Sequence, residues 1–143
     1  MYKIRILFFL FCFNLVSAQK DETKNQENVP LLKLDEVPVF PGCEYVLSEE
    51  RRDCFQIKIQ EHIKKNFRYP REAFKKKITG KVFVSFAIEK DGNITIVKIK
   101  GPHPILEKEA ERIITLLPKM KPGYLEKDPV RVPMSIPISF YLD

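Results

Sequence analysis

The chain has 143 residues, of which 25 are basic and 19 acidic, with two histidines and three cysteines. That length supports one domain with a real core plus a tail, and after the first residues no apolar stretch approaches the roughly 20 residues that cross a bilayer. The first residues set the compartment: Lys3 and Arg5 form a cationic start, Leu7 to Phe13 an apolar run, and Val16, Ser17 and Ala18 a set of small residues before Gln19. This pattern is a secretory signal peptide, residues 1–18, cleaved after Ala18. A retained membrane anchor is the alternative, but the apolar run is only about ten residues long and meets Asn14. Bulky Leu10 and Phe11 before Cys12 argue against lipidation. Removing Lys3 and Arg5 leaves 23 basic against 19 acidic side chains, a net charge of +4. Export excludes nucleic acid as the expected partner and points the lysines to anionic envelope polymers or to water.

Residues 19–36 are polar, with Asp21, Glu22, Lys24, Asn25, Gln26, Glu27 and Asn28 clustered, and are expected to be a disordered linker. Residues 37–143 form the expected domain. It opens on Val37-Pro38-Val39-Phe40-Pro41-Gly42-Cys43, whose prolines favour an extended clasp. Cys43 and Cys54 survive signal cleavage as a pair and in an exported chain predict a disulfide. Zinc is the rival, but His62 and His103 show no ligand spacing with either thiol.

The first helix is expected to begin at Asp53, with Gln56 completing a capping box. Phe55, Ile59, Ile63 and Phe67 recur every four residues as one apolar stripe, and Asn66 suits the end. A short second helix starts at Tyr69-Pro70, carries Glu72 early and Lys75, Lys76 and Lys77 late, and is expected to close at Gly80. Val82, Val84, Phe86 and Ile88 then alternate along a strand that ends at Asp91-Gly92, a hairpin signal. A two-residue loop would set Ile88 opposite Thr95, Phe86 opposite Val97 and Val84 opposite Ile99, leaving Ile94 and Ile96 on the outer face with Phe83, Lys98 and Lys100. A third helix follows Pro104, with Leu106, Ala110, Ile113 and Leu117 on its apolar stripe, and Pro118 stops it.

Between residues 130 and 142 every even position is apolar: Val130, Val132, Met134, Ile136, Ile138, Phe140 and Leu142. Such alternation predicts a long final strand with one buried face. Pro133 and Pro137, four apart, lack donors on the same side of that strand, which a central strand does not tolerate. The odd residues should therefore line an open edge while the even ones bond to a neighbour. The returning third helix makes the first strand of the hairpin that neighbour, so the expected architecture is α+β: a three-stranded antiparallel sheet in the order two, one, three, with helices on one face.

No enzyme emerges from the residue types. His62 and His103 lack a serine, cysteine or carboxylate placed for nucleophilic catalysis and suit solvated or capping roles, and Glu107, Glu109 and Glu111 suit the wet side of the third helix. No cofactor is expected.

The ordered set Asn66-Phe67-Arg68-Tyr69-Pro70, Ala73, the strand and turn from Gly80 to Ile94, and Leu116-Leu117-Pro118-Lys119-Met120-Lys121-Pro122-Gly123 before a final strand resembles the C-terminal domain of TonB. With Pro38-Val39-Phe40-Pro41-Gly42 upstream, it resembles the TonB-family proteins of Bacteroidota-type bacteria. The resemblance implies a periplasmic domain that binds the TonB box, an extended peptide of outer-membrane transporters, by strand addition beside its final strand. Carried over, it points to Arg68, Tyr69 and Pro70 and to Val132, Pro133, Met134, Ser135, Ile136, Pro137 and Ser139. The alternative role for the two prolines is protection of the edge against aggregation. Family members that transduce energy have an N-terminal membrane helix engaging ExbB and ExbD and a long proline-rich spacer. A cleaved signal peptide departs from that pattern, so ExbB and ExbD are expected partners only if the N-terminus is retained in the inner membrane. The edge also leaves open a homodimer. A reading from another class is a structural envelope protein whose Lys58, Lys64, Lys65, Lys75, Lys76 and Lys77 bind peptidoglycan or anionic membrane.

Overall fold

The structure is a computed structural model and describes residues 28–142. The signal peptide and residues 19–27 of the expected linker lie outside the described residues.

Helix α1, Arg51–Asn66, buries Phe55, Ile59 and Ile63, as its four-residue repeat requires. It begins earlier than the capping-box pattern places it. A 3-10 turn, Ser48–Glu50, runs straight into it, Glu50 is the N-cap without a side-chain cap bond, and Asp53 sits inside the first turn. The chain thus enters α1 from a turn that is already helical, and no side chain has to start it.

Helix α2, Arg71–Lys75, starts one residue later than expected, because Pro70 is an extended N-cap (φ −60°, ψ 128°). It also ends without glycine. Lys77 takes a left-handed φ of 53°, the Ile78 amide donates to the Ala73 carbonyl at 2.9 Å, and that of Lys77 donates to Phe74 at 3.2 Å. These are the paired bonds of a Schellman closure. Gly80 instead opens the next strand, at φ 139°, where an added Cβ would meet the Pro102 ring at 2.7 Å.

Strands β1 (Gly80–Ile88) and β2 (Ile94–Lys100) form the expected hairpin, but its loop has three residues. The Gly92 amide donates to the Glu89 carbonyl and the Glu89 amide to the Asn93 carbonyl, each at 2.8 Å, and Gly92 holds φ 85°. This is a turn followed by a glycine in the left-handed region, the usual three-residue solution. The added residue shifts the register, so Ile88 faces Ile94 and Phe86 faces Ile96. A bulge between Ser85 and Phe86 then leaves Val97 without a partner and restores Val84 opposite Ile99. Ile94 and Ile96 consequently turn towards the core, and Val97 becomes the exposed residue, the reverse of the two-residue-loop arrangement.

Helix α3, Pro104–Thr115, is capped by His103, whose Nδ1 accepts from the Ile105 amide at 3.2 Å. Leu106, Ala110 and Ile113 are fully buried, joined by Ile114. A small hairpin absent from the sequence expectations follows, β3 (Gly123–Leu125) and β4 (Asp128–Val130). Glu126 and Lys127 turn it with φ of 51° and 73°, positions where asparagine or glycine is the usual signal. The final strand, β5 (Val132–Phe140), pairs antiparallel with β1 along its whole length, and the sheet order is β2-β1-β5. The core lies between this sheet and the helices, and Phe83 and Val97 stay more than half exposed on the sheet's other side.

Within the expected linker, residues 28–36 pack on the domain. Val29 is buried, Leu31 and Leu34 pack on the core, and the Asp35 carboxylate accepts from the Glu126 amide at 2.6 Å, so these few apolar side chains outweigh the polar composition around them. Glu36 and Val39 make antiparallel bridges to Tyr124 and Lys121. The clasp then reaches buried Cys43, which is bonded to Cys54 on α1. The cross-link spans 11 residues, and a loop of that size is worth about 3 kcal/mol on the chain-entropy estimate. A Cys43→Ala, Cys54→Ala chain is expected to lose about that much in urea unfolding, with the β-sheet circular dichroism intact below the transition. A loss under about 1 kcal/mol would mean that bridges and packing hold the clasp alone.

Candidate binding edge

Along β5, Val132, Ile136, Ile138 and Phe140 are buried and Met134 half-buried, whereas Pro133, Ser135, Pro137 and Ser139 are exposed. The alternation read from the sequence is thus the alternation of the strand. Pro133 lies opposite Ala87 and Pro137 opposite Phe83. Bonded and non-bonded pairs alternate in an antiparallel ladder, and a proline cannot donate, so the even residues carry the bonds to β1. The backbone groups of the odd residues therefore point away from β1.

Among the described residues no strand lies beyond β5 in the sheet. Only the start of its outer side is occupied among the described residues: the Val29 amide donates to the Arg131 carbonyl at 3.0 Å, within a parallel bridge between Asn28 and Arg131. Arg131 is itself pinned, its Nε donating to Glu89 at 3.0 Å and its Nη1 to the Asn28 side chain. Past that point the edge offers the carbonyls of Pro133, Ser135, Pro137 and Ser139 but the amides of Ser135 and Ser139 alone.

The tyrosine-proline corner divides. Tyr69 turns to the far end of β5, its ring 5.9 Å from that of Phe140 and its hydroxyl donating to the Ile78 carbonyl at 2.6 Å. There Tyr69, Phe74, Lys77, Tyr141 and Leu142 line an open cleft. Arg68 and Pro70 face α3 instead: the Arg68 amide donates to Glu109 at 3.0 Å, and Pro70 lines a cleft with Ile105 and Lys108. Arg112 completes this side, pairing with Glu109 at 2.7 Å and donating to the Asn66 carbonyl at 2.5 Å. The hydrogen bond to Glu109 raises the Arg112 pKa further.

Both histidines serve the scaffold. His62 Nε2 lies 2.9 Å from the Ile113 carbonyl, which can only accept, so the proton sits on Nε2 and Nδ1 accepts from Asn66. The lysines of the envelope reading are partly engaged: Lys58 pairs with Glu61 at 2.9 Å and Lys76 with Glu72 at 2.7 Å. The sequence expectations missed a small cavity beside Met134 that joins the clasp, α1 and β5. No spacing in the sequence signals it, because its walls come from three separate segments.

The family model of the Gram-negative bacterial TonB protein C-terminal domain matches residues 65–142. Two solution structures of the Helicobacter pylori TonB C-terminal domain are similar to the chain, each at 32% identity. The longer form covers 70% of this chain and 87% of its own, with a TM-score of 0.46; the shorter covers 60% and 91%, with a TM-score of 0.37. No curated protein matches the chain. The family is non-enzymatic, periplasmic in Gram-negative bacteria and generally involved in TonB-dependent transport. With 78 of 143 residues under the family model, more than half, the chain belongs to the TonB C-terminal domain family.

Proposed function

We propose that the protein binds the TonB box of an outer-membrane transporter in the periplasm, as an extended peptide added to the outer edge of β5. The observation that carries this reading is an edge that, past Arg131 and among the described residues, is unpaired, on a strand whose other side is fully laddered to β1. Main-chain hydrogen bonds along such an edge are a sufficient source of affinity for an extended peptide. Membership of a family active in TonB-dependent transport supports the same partner. Pro133 and Pro137 also protect the edge from indiscriminate pairing, since each removes one donor. Both roles are compatible, because the carbonyls stay free to accept.

Titration of the protein with TonB-box peptides from transporters of its own host tests the reading. Ser135→Pro removes the outward amide between the two prolines without touching the bonds to β1. It is expected to weaken binding about tenfold, the loss of one ladder bond and the desolvation that accompanies it. Equal affinity for the two proteins would place the site elsewhere.

A further inference from the structure

We infer that the cavity beside Met134 is a side-chain pocket that selects among strand partners, accepting one large apolar residue of a peptide paired with β5. The inference rests on the strand addition proposed above and adds to it a preference that backbone pairing cannot supply.

The cavity has a volume of about 120 Å³ and is walled by Leu31, which precedes the clasp, Pro38 of the clasp, Arg52, Phe55 and Gln56 of α1, and Met134 of β5. Met134 points to the helix side of the sheet and is the half-buried member of an otherwise buried row. A strand added to β5 would lie about 4.8 Å away, and residues paired across strands share a face. The side chain paired with Met134 on the helix side therefore enters this space. The segment before the clasp borders the cavity: the Val29 amide donates to the Arg131 carbonyl in the place of a next strand, and Leu31, two residues on, is one of the walls.

Size and chemistry narrow the occupant. Small-molecule sites start at about 300 Å³, and a dry cavity of about 150 Å³ holds a benzene, so this one suits a single leucine, methionine or phenylalanine side chain. Its charged neighbour is already engaged, since Arg52 Nη2 donates to the Leu31 carbonyl at 3.1 Å. In strand addition, main-chain bonds supply affinity and side-chain pockets supply choice. The walls at Leu31, Pro38, Arg52, Phe55 and Gln56 lie outside residues 65–142, the span matched by the family model.

The test uses a capped eight-residue peptide of alternating threonine and serine, and the same peptide with one central threonine changed to leucine, titrated into the full chain and followed by amide NMR. Leucine is expected to tighten binding about tenfold or more, the usual return for filling an apolar pocket. Gln56→Trp grows an indole into the cavity from an exposed position of α1 and should bring the ratio of the two affinities to about one. A ratio near one in the unmodified protein, while Ser135→Pro still weakens both peptides, overturns the pocket and leaves strand addition standing. Failure of both peptides to bind, or indifference to Ser135→Pro, overturns both. A concentration-dependent dimer that Gln56→Trp dissociates would make a second copy the occupant and also overturn the proposal.

Discussion

Gly92→Ala is expected to lower the midpoint of urea unfolding by the equivalent of about 3 kcal/mol or more, the largest effect of any glycine-to-alanine change in the chain. Gly92 holds φ 85°, and a Cβ there would fall 1.7 Å from the Met120 carbonyl oxygen. The left-handed conformation alone costs an alanine about 1–2 kcal/mol. The collision adds to it because the obstacle is backbone, and the Met120 amide donates to the Gly92 carbonyl at 3.0 Å, so the hairpin loop and the segment after α3 are docked on one another. Either this dock opens or the loop rearranges. Asp91→Ala is the control: it removes a side-chain bond to the Asn93 amide, at 3.0 Å, on the exposed loop and should lower the midpoint far less. Comparable losses for the two variants would show that the dock contributes nothing.

Phe140→Ala is expected to destabilise the chain by about 3–5 kcal/mol, a large share of the roughly 5–15 kcal/mol that holds a domain of this kind. Phe140 is fully buried, with the Phe67 ring at 5.1 Å and that of Tyr69 at 5.9 Å. One side chain thus joins the end of α1, the tyrosine-proline corner and the last residue of β5. Its removal should loosen the far end of the edge before the rest of the sheet, seen as faster hydrogen exchange at residues 138–141 than at residues 82–86. Phe140→Leu, which refills most of the volume, should recover more than half of the loss. Uniform exchange along β5 in the alanine variant would contradict the local role.

What the sequence makes legible follows from how local each signal is. The β5 alternation and its two prolines are read within one strand, and they place the buried face, the sheet order and the open edge correctly. The hairpin register is less local. Asp91-Gly92 is equally compatible with a loop of two or three residues, and the bulge opposite Ser85 and Phe86 hides the difference by restoring Val84 to Ile99. Closure of α2 at Lys77 and the β3–β4 turn at Glu126 and Lys127 use left-handed residues that carry no glycine signal. The packing of residues 28–36 is hidden for a related reason: a polar composition average does not register that Val29, Leu31 and Leu34 find apolar partners in the fold. The site divides along the same line. The edge is a property of one strand, whereas the cavity beside Met134 needs three segments brought together.

The donor deficit of β5 also bears on what the edge refuses. Two copies pairing antiparallel through residues 133–139 would each bring Pro133 and Pro137, so the shared ladder would lack four amides. A proline-free peptide on the same edge would lack only two. Two further missing bonds are worth about 2 kcal/mol, or roughly thirtyfold in affinity. The edge is thus complementary to a foreign strand and a poor match for its own image.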